Sequence, residues 1–194
     1  MKKYLFLVVA FVGLLTSCGD AEKETKKGDG KFYSTEVPKA DVLRVGIKQL
    51  EDSLMKISEM EPKVDKTVTN LVQQAYLEKL KLMYQAYPKD KDAAASLGKV
   101  YMMYSGMGIP DLSVKYADTL IEKYPKYPER WLALQSNAVY YDMEVVPRDK
   151  EKVRFYWEKL INEYPDIDPE IIEMANSRLK NIDLTFEELI KQQN

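Results

Sequence analysis

Apolar residues recur at alternating intervals of four and three along most of the chain, and no stretch alternates in the manner of a half-buried strand. Leu43, Ile47, Leu50, Leu54 and Ile57 draw one stripe along a helix that Pro38 precedes and Pro62 follows. The next segment carries two stripes: Val64, Val68, Leu71 and Ala75, and then Val72, Tyr76, Leu80, Met83 and Tyr87. Two stripes on one helix predict burial on two sides, as in a helix held between neighbours. Towards the end, Asp168 stands as an N-cap before a first-turn proline, Pro169. Ile172, Ala175, Leu179 and Ile182 follow as the apolar face of a helix suited to close an array, and Phe186, Leu189 and Ile190 predict a last short helix.

The stops between these helices repeat. Tyr87-Pro88, Tyr124-Pro125 and Tyr164-Pro165 each end a helical stretch, at separations of 37 and 40 residues. Proline lacks the N–H that the helix ladder needs and pushes its predecessor out of the α region, so each pair is a terminator. After Pro88 come Ala94, Leu97-Gly98 and Tyr101; Ser113, Ala117 and Leu120 precede Pro125. After Pro125 come Trp131 and Leu134, with Gln135 and Ala138 in the next places, and Val153, Trp157 and Leu160 precede Pro165.

This arrangement resembles the tetratricopeptide repeat, a helical hairpin of about 34 residues with a W-x₂-L-G-x₂-Y pattern in its first helix and a terminal proline. The resemblance covers about residues 63–182, with the 38–60 helix a diverged first partner. It implies an all-α solenoid of about three to four hairpins with a C-terminal capping helix, occupying residues 38–194. It also implies that Gly98 sits where paired helices approach closely and that Tyr101 fills the groove between them.

The amino-terminal stretch follows a different logic. Met1-Lys2-Lys3 is a basic start to an apolar run from Tyr4 to Leu15, about 12 residues against the roughly 20 that span a bilayer. That combination reads as a secretory signal over residues 1–17. Leu15-Thr16-Ser17-Cys18 resembles the lipobox of bacterial lipoproteins, which implies acylation of Cys18 and cleavage before it. Two or more acyl chains hold a protein stably to a bilayer, where one holds it marginally. The resemblance to Gram-negative lipoproteins, with Gly19 rather than Asp after the cysteine, implies the outer membrane; periplasmic and surface orientations both stay open. Residues 19–31 carry three glycines and many charges, so 18–37 is expected to be a lipidated cysteine and its tether.

Composition narrows the chemistry further. Of 194 residues, 45% are hydrophobic and 31% charged, enough apolar content for a packed core. The formal net charge of −2 lacks the basic excess that nucleic-acid binding relies on, so no nucleic-acid partner is expected. There is no histidine, and Cys18 is the only cysteine, which removes imidazole and thiolate from acid–base, nucleophilic and metal chemistry. No catalytic residues, cofactor or metal are expected. Ser105-Gly106-Met107-Gly108-Ile109 lacks the preceding strand and the Gly-Lys-Ser/Thr ending of a phosphate loop, and reads as a turn between helices.

What remains is recognition. In the repeat family the first helices of successive hairpins line a concave groove, which implies Asp92, Lys99, Met102 and Met103 on one helix. On the next it implies Glu129, Leu132, Ser136, Val139 and Tyr140, with Tyr141 beside them. Methionine and tyrosine suit adaptable contact with a peptide or helix. The expected function is a membrane-anchored protein-interaction scaffold, similar in architecture to accessory lipoproteins of outer-membrane β-barrel assembly, with a protein or peptide partner. Glycan or cell-wall binding is the alternative.

Overall fold

A computed structural model describes residues 36–60 and 64–193. The predicted signal, the lipobox with Cys18 and most of the predicted tether lie outside the described residues. From Val37 onward the chain forms one helical unit. Its helices are α1 (Ala40–Glu59), α2 (Lys66–Ala86), α3 (Ala93–Gly106), α4 (Pro110–Lys123), α5 (Arg130–Met143), α6 (Lys150–Glu163), α7 (Pro169–Lys180) and α8 (Phe186–Gln193). Among the described residues there is no strand. The main packing runs between consecutive helices from α1 to α7, so the unit is a stack of antiparallel hairpins.

Local chemistry fixes the helix ends. The Asp65 carboxylate accepts from Thr67 N at 2.7 Å at the start of α2, Asp149 from Lys152 N at 3.0 Å at α6, and Asp168 from Glu170 N at 2.9 Å at α7. Each Tyr-Pro tyrosine closes its helix with the same backbone shape: φ/ψ is −128°/56° at Tyr87, −125°/60° at Tyr124 and −135°/56° at Tyr164. After each, the carbonyl of the tyrosine accepts from the residue three further on, Asp90, Tyr127 or Ile167. Three copies of one turn therefore set the angle between successive hairpins. The glycine turn between α3 and α4 is a helix cap: Gly108 has φ 69°, and Ile109 N returns to Tyr104 O at 2.9 Å.

The larger core joins α3 to α7 and includes Leu97, Tyr101, Ala117, Leu120, Leu134, Ala138, Val153, Trp157 and Leu160, all nearly or fully inaccessible. A smaller one joins α1, α2 and α3 through Tyr76, Leu77, Leu80, Val100 and Tyr104, with Ile47, Leu50 and Leu54 half-buried against it. Tyr116 touches both, stacked on Tyr104 at 5.3 Å and edge-on to Tyr84 at 6.1 Å. The repeat is visible in these rings. Tyr141 and Tyr156 stack at 5.7 Å, and they lie 37 and 40 residues after Tyr104 and Tyr116. The extra three residues of the second interval are the longer α5–α6 turn.

Two expectations are corrected. Helix α2 is buried along one stripe, Tyr76, Leu77, Leu80 and Met83, whereas Val68, Leu71 and Ala75 are exposed. The helix does lie between α1 and α3, but both pack along its Tyr76–Leu80–Met83 side, and no described element covers the Val68–Leu71–Ala75 face. Gly98 is buried but does not mark a close approach of α3 and α4. A β-carbon there would meet only the Tyr127 ring, with Oη at 3.6 Å and Cε1 at 3.8 Å, which is ordinary contact.

Candidate functional site

Helices α1 and α3 face each other across a cleft of about 250 Å³ with an apolar floor that includes Ile47, Leu80 and Met83. Its rim is built from charge pairs. Arg44 bonds Asp92 through Nε and Asp90 through Nη2, the latter at 3.1 Å. One helical stretch further along, Lys99 pairs with Glu51, which also accepts from the Tyr76 hydroxyl at 3.1 Å. Both α1–α3 pairs join residues 48 apart in sequence, as parallel helices in constant register require.

These pairs set the ionisation of the rim. The hydrogen bond from Lys99 holds the Glu51 carboxyl below the usual carboxylate range, outweighing the opposing effect of burial. Burial works against the Lys99 ammonium, but the bonds to Glu51 and Tyr76 leave it raised. Asp92 and Lys99 therefore serve two roles at once: they edge the cleft and they fasten α3 to α1.

A second cleft of about 300 Å³ adjoins the first, and the two share Ala95 and Lys99. Gly98, Tyr101, Met102, Tyr127 and Glu129 line the rest of it. Small side chains at Ala95 and Gly98 open the space, and the exposed Met102 flanks it. The Tyr127 hydroxyl donates to Glu129 at 2.9 Å; burial first and that carboxylate second push it up to about 12, so it stays a protonated donor at neutral pH.

A third cleft, of about 380 Å³, lies between the α3–α4 turn and α5 and takes in Ser136, Val139 and Tyr140 beside Ser105 and Ser113. There the Tyr140 hydroxyl donates to Asp111 at 2.9 Å. The residues expected to share one groove thus divide. Lys99, Met102 and Glu129 come together, Asp92 lies at the α1 end of the same groove, and Ser136 and Tyr140 belong to a separate recess. Met103 points elsewhere: it is partly buried against the α1–α2–α3 core. Leu132 is half-buried on α5, and Tyr141 is core.

Sequence reasoning did not pick out Arg44, Glu51, Ala95 or Tyr127. A signal existed for the first two: Arg44 and Glu51 are seven apart, as are Asp92 and Lys99, with the charges reversed. Most tyrosine and tryptophan rings are occupied by packing. Tyr76, Tyr101, Tyr104, Tyr156 and Trp157 are all buried.

Among the described residues no cluster of acidic side chains is arranged to hold a metal ion, and no helix is long and apolar enough to cross a membrane. No protein-family model matches the chain, and no curated protein or solved structure does either.

Proposed function

We propose that the chain is a lipid-anchored envelope protein whose tetratricopeptide-like hairpins hold a protein or peptide partner in the groove formed by the two adjoining clefts. The observation that carries this reading is that the two clefts share Ala95 and Lys99, which sets them side by side along α3 between Arg44 and Glu129. The groove has an apolar floor and rims of both charges, a lining suited to an extended segment with mixed side chains. The 37- and 40-residue spacing of turns and stacked tyrosines supports the repeat, and the burial of Leu97 and Tyr101 agrees with the L-G-x₂-Y resemblance. Acylation of Cys18 at the outer membrane, with no cofactor and no catalysis, completes the proposal.

The groove is tested by placing a photo-crosslinking residue at Met102 in the full-length chain. Crosslinking to one discrete partner, lost when Ala95→Trp fills the groove, is the expected result. Recovery of the chain alone from both, with helical content intact, refutes the reading. Palmitate labelling that persists in Cys18→Ser would refute the anchor separately.

A further inference from the structure

The cleft between α1 and α3 carries more positive charge than negative. Arg44, Lys48, Lys91 and Lys99 stand on its lining against Glu51 and Asp92, in a chain whose formal net charge is −2. Both carboxylates are already engaged, Glu51 by Lys99 and Asp92 by Arg44. Two ammonium groups are left over. Lys48 reaches Asp52, one turn along α1, at 3.6 Å with both side chains exposed, a pairing worth little in water. Lys91 is exposed and, among the described residues, makes no side-chain hydrogen bond or ion pair; its charge acts on Asp90, which Arg44 already holds. A further donor faces the same space. Ser96 is 4% exposed and lines the cleft, and its hydroxyl has no hydrogen-bond partner among the described residues. Beside it, Asp92 stands at the N-cap of α3 but turns its carboxylate to Arg44, so the first-turn N–H groups of that helix receive no side-chain cap.

We infer that the segment held in the groove is acidic, with Asp or Glu side chains seated in the α1–α3 cleft against Lys48, Lys91 and the Ser96 hydroxyl. This inference rests on the groove reading and adds the chemistry of the partner to it. A carboxylate accepts from several donors at once, which matches a hydroxyl and two ammonium groups that lack an acceptor of their own. A basic segment would be repelled by the same lysines, and a neutral one would gain nothing from them. Lys48 belongs to α1 and Lys91 to the α2–α3 turn, so the two are met by carboxylates spaced along a segment and not by a single chain end. The apolar side chains of that segment rest on Ile47, Leu80 and Met83. The surplus is local, since the chain as a whole is slightly acidic, and a partner drawn to it is selected by this cleft rather than by a generally basic surface.

The test is fluorescence anisotropy on the full-length chain in detergent, with three alanine-rich octapeptides that carry glutamate, glutamine or lysine at alternate positions. Each is acetylated, amidated and labelled with the same neutral dye, so that only side chains are charged. The glutamate peptide should bind about tenfold or more tightly than the glutamine peptide, and its affinity should fall as salt is raised. The lysine peptide should not bind. Lys48→Gln combined with Lys91→Gln should erase the preference without changing helical circular dichroism, because both side chains are exposed; Lys115→Gln with Lys123→Gln, on α4, should leave it intact. Equal binding of the three peptides, lost in Ala95→Trp, would keep the groove and overturn its acidic preference. Glutamate-peptide binding that neither Ala95→Trp nor the Lys48 and Lys91 changes reduce would overturn it as well. So would no binding of any peptide, while the Met102 crosslink decides the groove reading on its own.

Discussion

The hydroxyl of Tyr124 donates to the carbonyl oxygen of Pro88 at 3.0 Å, reaching back from the end of one hairpin to the terminator of the hairpin before it. Tyr87 makes the same reach to the carbonyl of Pro38, at 2.9 Å, which identifies Pro38 as the counterpart of a terminator just ahead of α1. Tyr164 departs from the pattern, since its hydroxyl faces the Arg130 guanidinium at 3.4 Å. Each tyrosine in a Tyr-Pro pair thus has a side-chain partner beyond its own turn. The proline stops the helix, and the tyrosine fastens the stop to what came before.

Tyr124→Phe should therefore lower stability by about 0.5–1.5 kcal/mol, the usual net worth of one hydrogen bond, while leaving ring packing intact. Tyr87→Phe should behave alike. Urea denaturation of the two variants checks this, and coincident midpoints with the parent would show that the hydroxyls fasten nothing.

A stronger tie holds the C-terminal end. Asp142 on α5 is buried between two guanidiniums: Arg178 binds it through Nε at 2.8 Å and Nη2 at 3.0 Å, and Arg148 binds it through Nε. Arg148 also donates to the carbonyls of Ile182 and Leu184 at 2.7 and 2.8 Å, drawing the segment after α7 onto the α5–α6 turn. Replacing the carboxylate leaves two buried cations facing each other. Asp142→Asn should cost about 3–5 kcal/mol, the scale for breaking a buried pair from one side. Hydrogen exchange should report opening first across residues 169–190; uniform protection there would contradict the assignment.

How much of this was legible depends on whether a feature leaves a local trace. The Tyr-Pro stops, the Asp168 cap and the stripe of α1 follow from backbone chemistry within a few residues, and all are present in the fold. The exposed stripe of α2 was misjudged because periodicity reports which residues share a face, and not whether anything covers it. Val68 and Leu71 read the same in both cases. The groove was harder still. Lys99, Met102 and Glu129 came from the repeat resemblance, which places groove residues about one turn apart, but Met103, one residue on from Met102, turns into the core. Phase errors of 100° per residue are fatal to a side-chain assignment and harmless to a fold. Tyr127 was missed because it sits in a turn, where no periodicity applies.

Stability should also fall in acid, through two glutamates. Burial opposes the charge of Glu163, but hydrogen bonds from Arg130 and Lys159 outweigh it and hold the carboxyl below the ordinary range; Glu51 is held low by Lys99. A folded-state pKa below the unfolded one gives stability that is present above the unfolded value and lost as pH falls through the folded value. The loss should thus begin within the ordinary glutamate range, at about pH 4–5, and continue below it as pH falls. Glu163→Gln should flatten that part of the curve and leave the neutral-to-basic part unchanged in slope. An equally steep acid limb in the variant would assign the transition to other groups.

Gly98 separates the stability of α3 from the use of the groove beside it. A glycine inside a helix costs up to about 1 kcal/mol relative to alanine, and the β-carbon of Gly98→Ala would rest against Tyr127 at ordinary contact distances. This variant should therefore raise the melting temperature, by an amount equivalent to about 0.5–1 kcal/mol. Gly98→Leu adds three more carbons to a cleft of about 300 Å³ and must displace the Tyr127 ring, so it should forfeit that gain and destabilise by about 1–3 kcal/mol relative to the alanine variant. The pair also reports on recognition. If the cleft receives a partner, the leucine variant should lose the Met102 crosslink while still folded at growth temperature, and the alanine variant should keep it. A melting temperature that falls for alanine as far as for leucine would mean that Gly98 answers to a close helix contact after all.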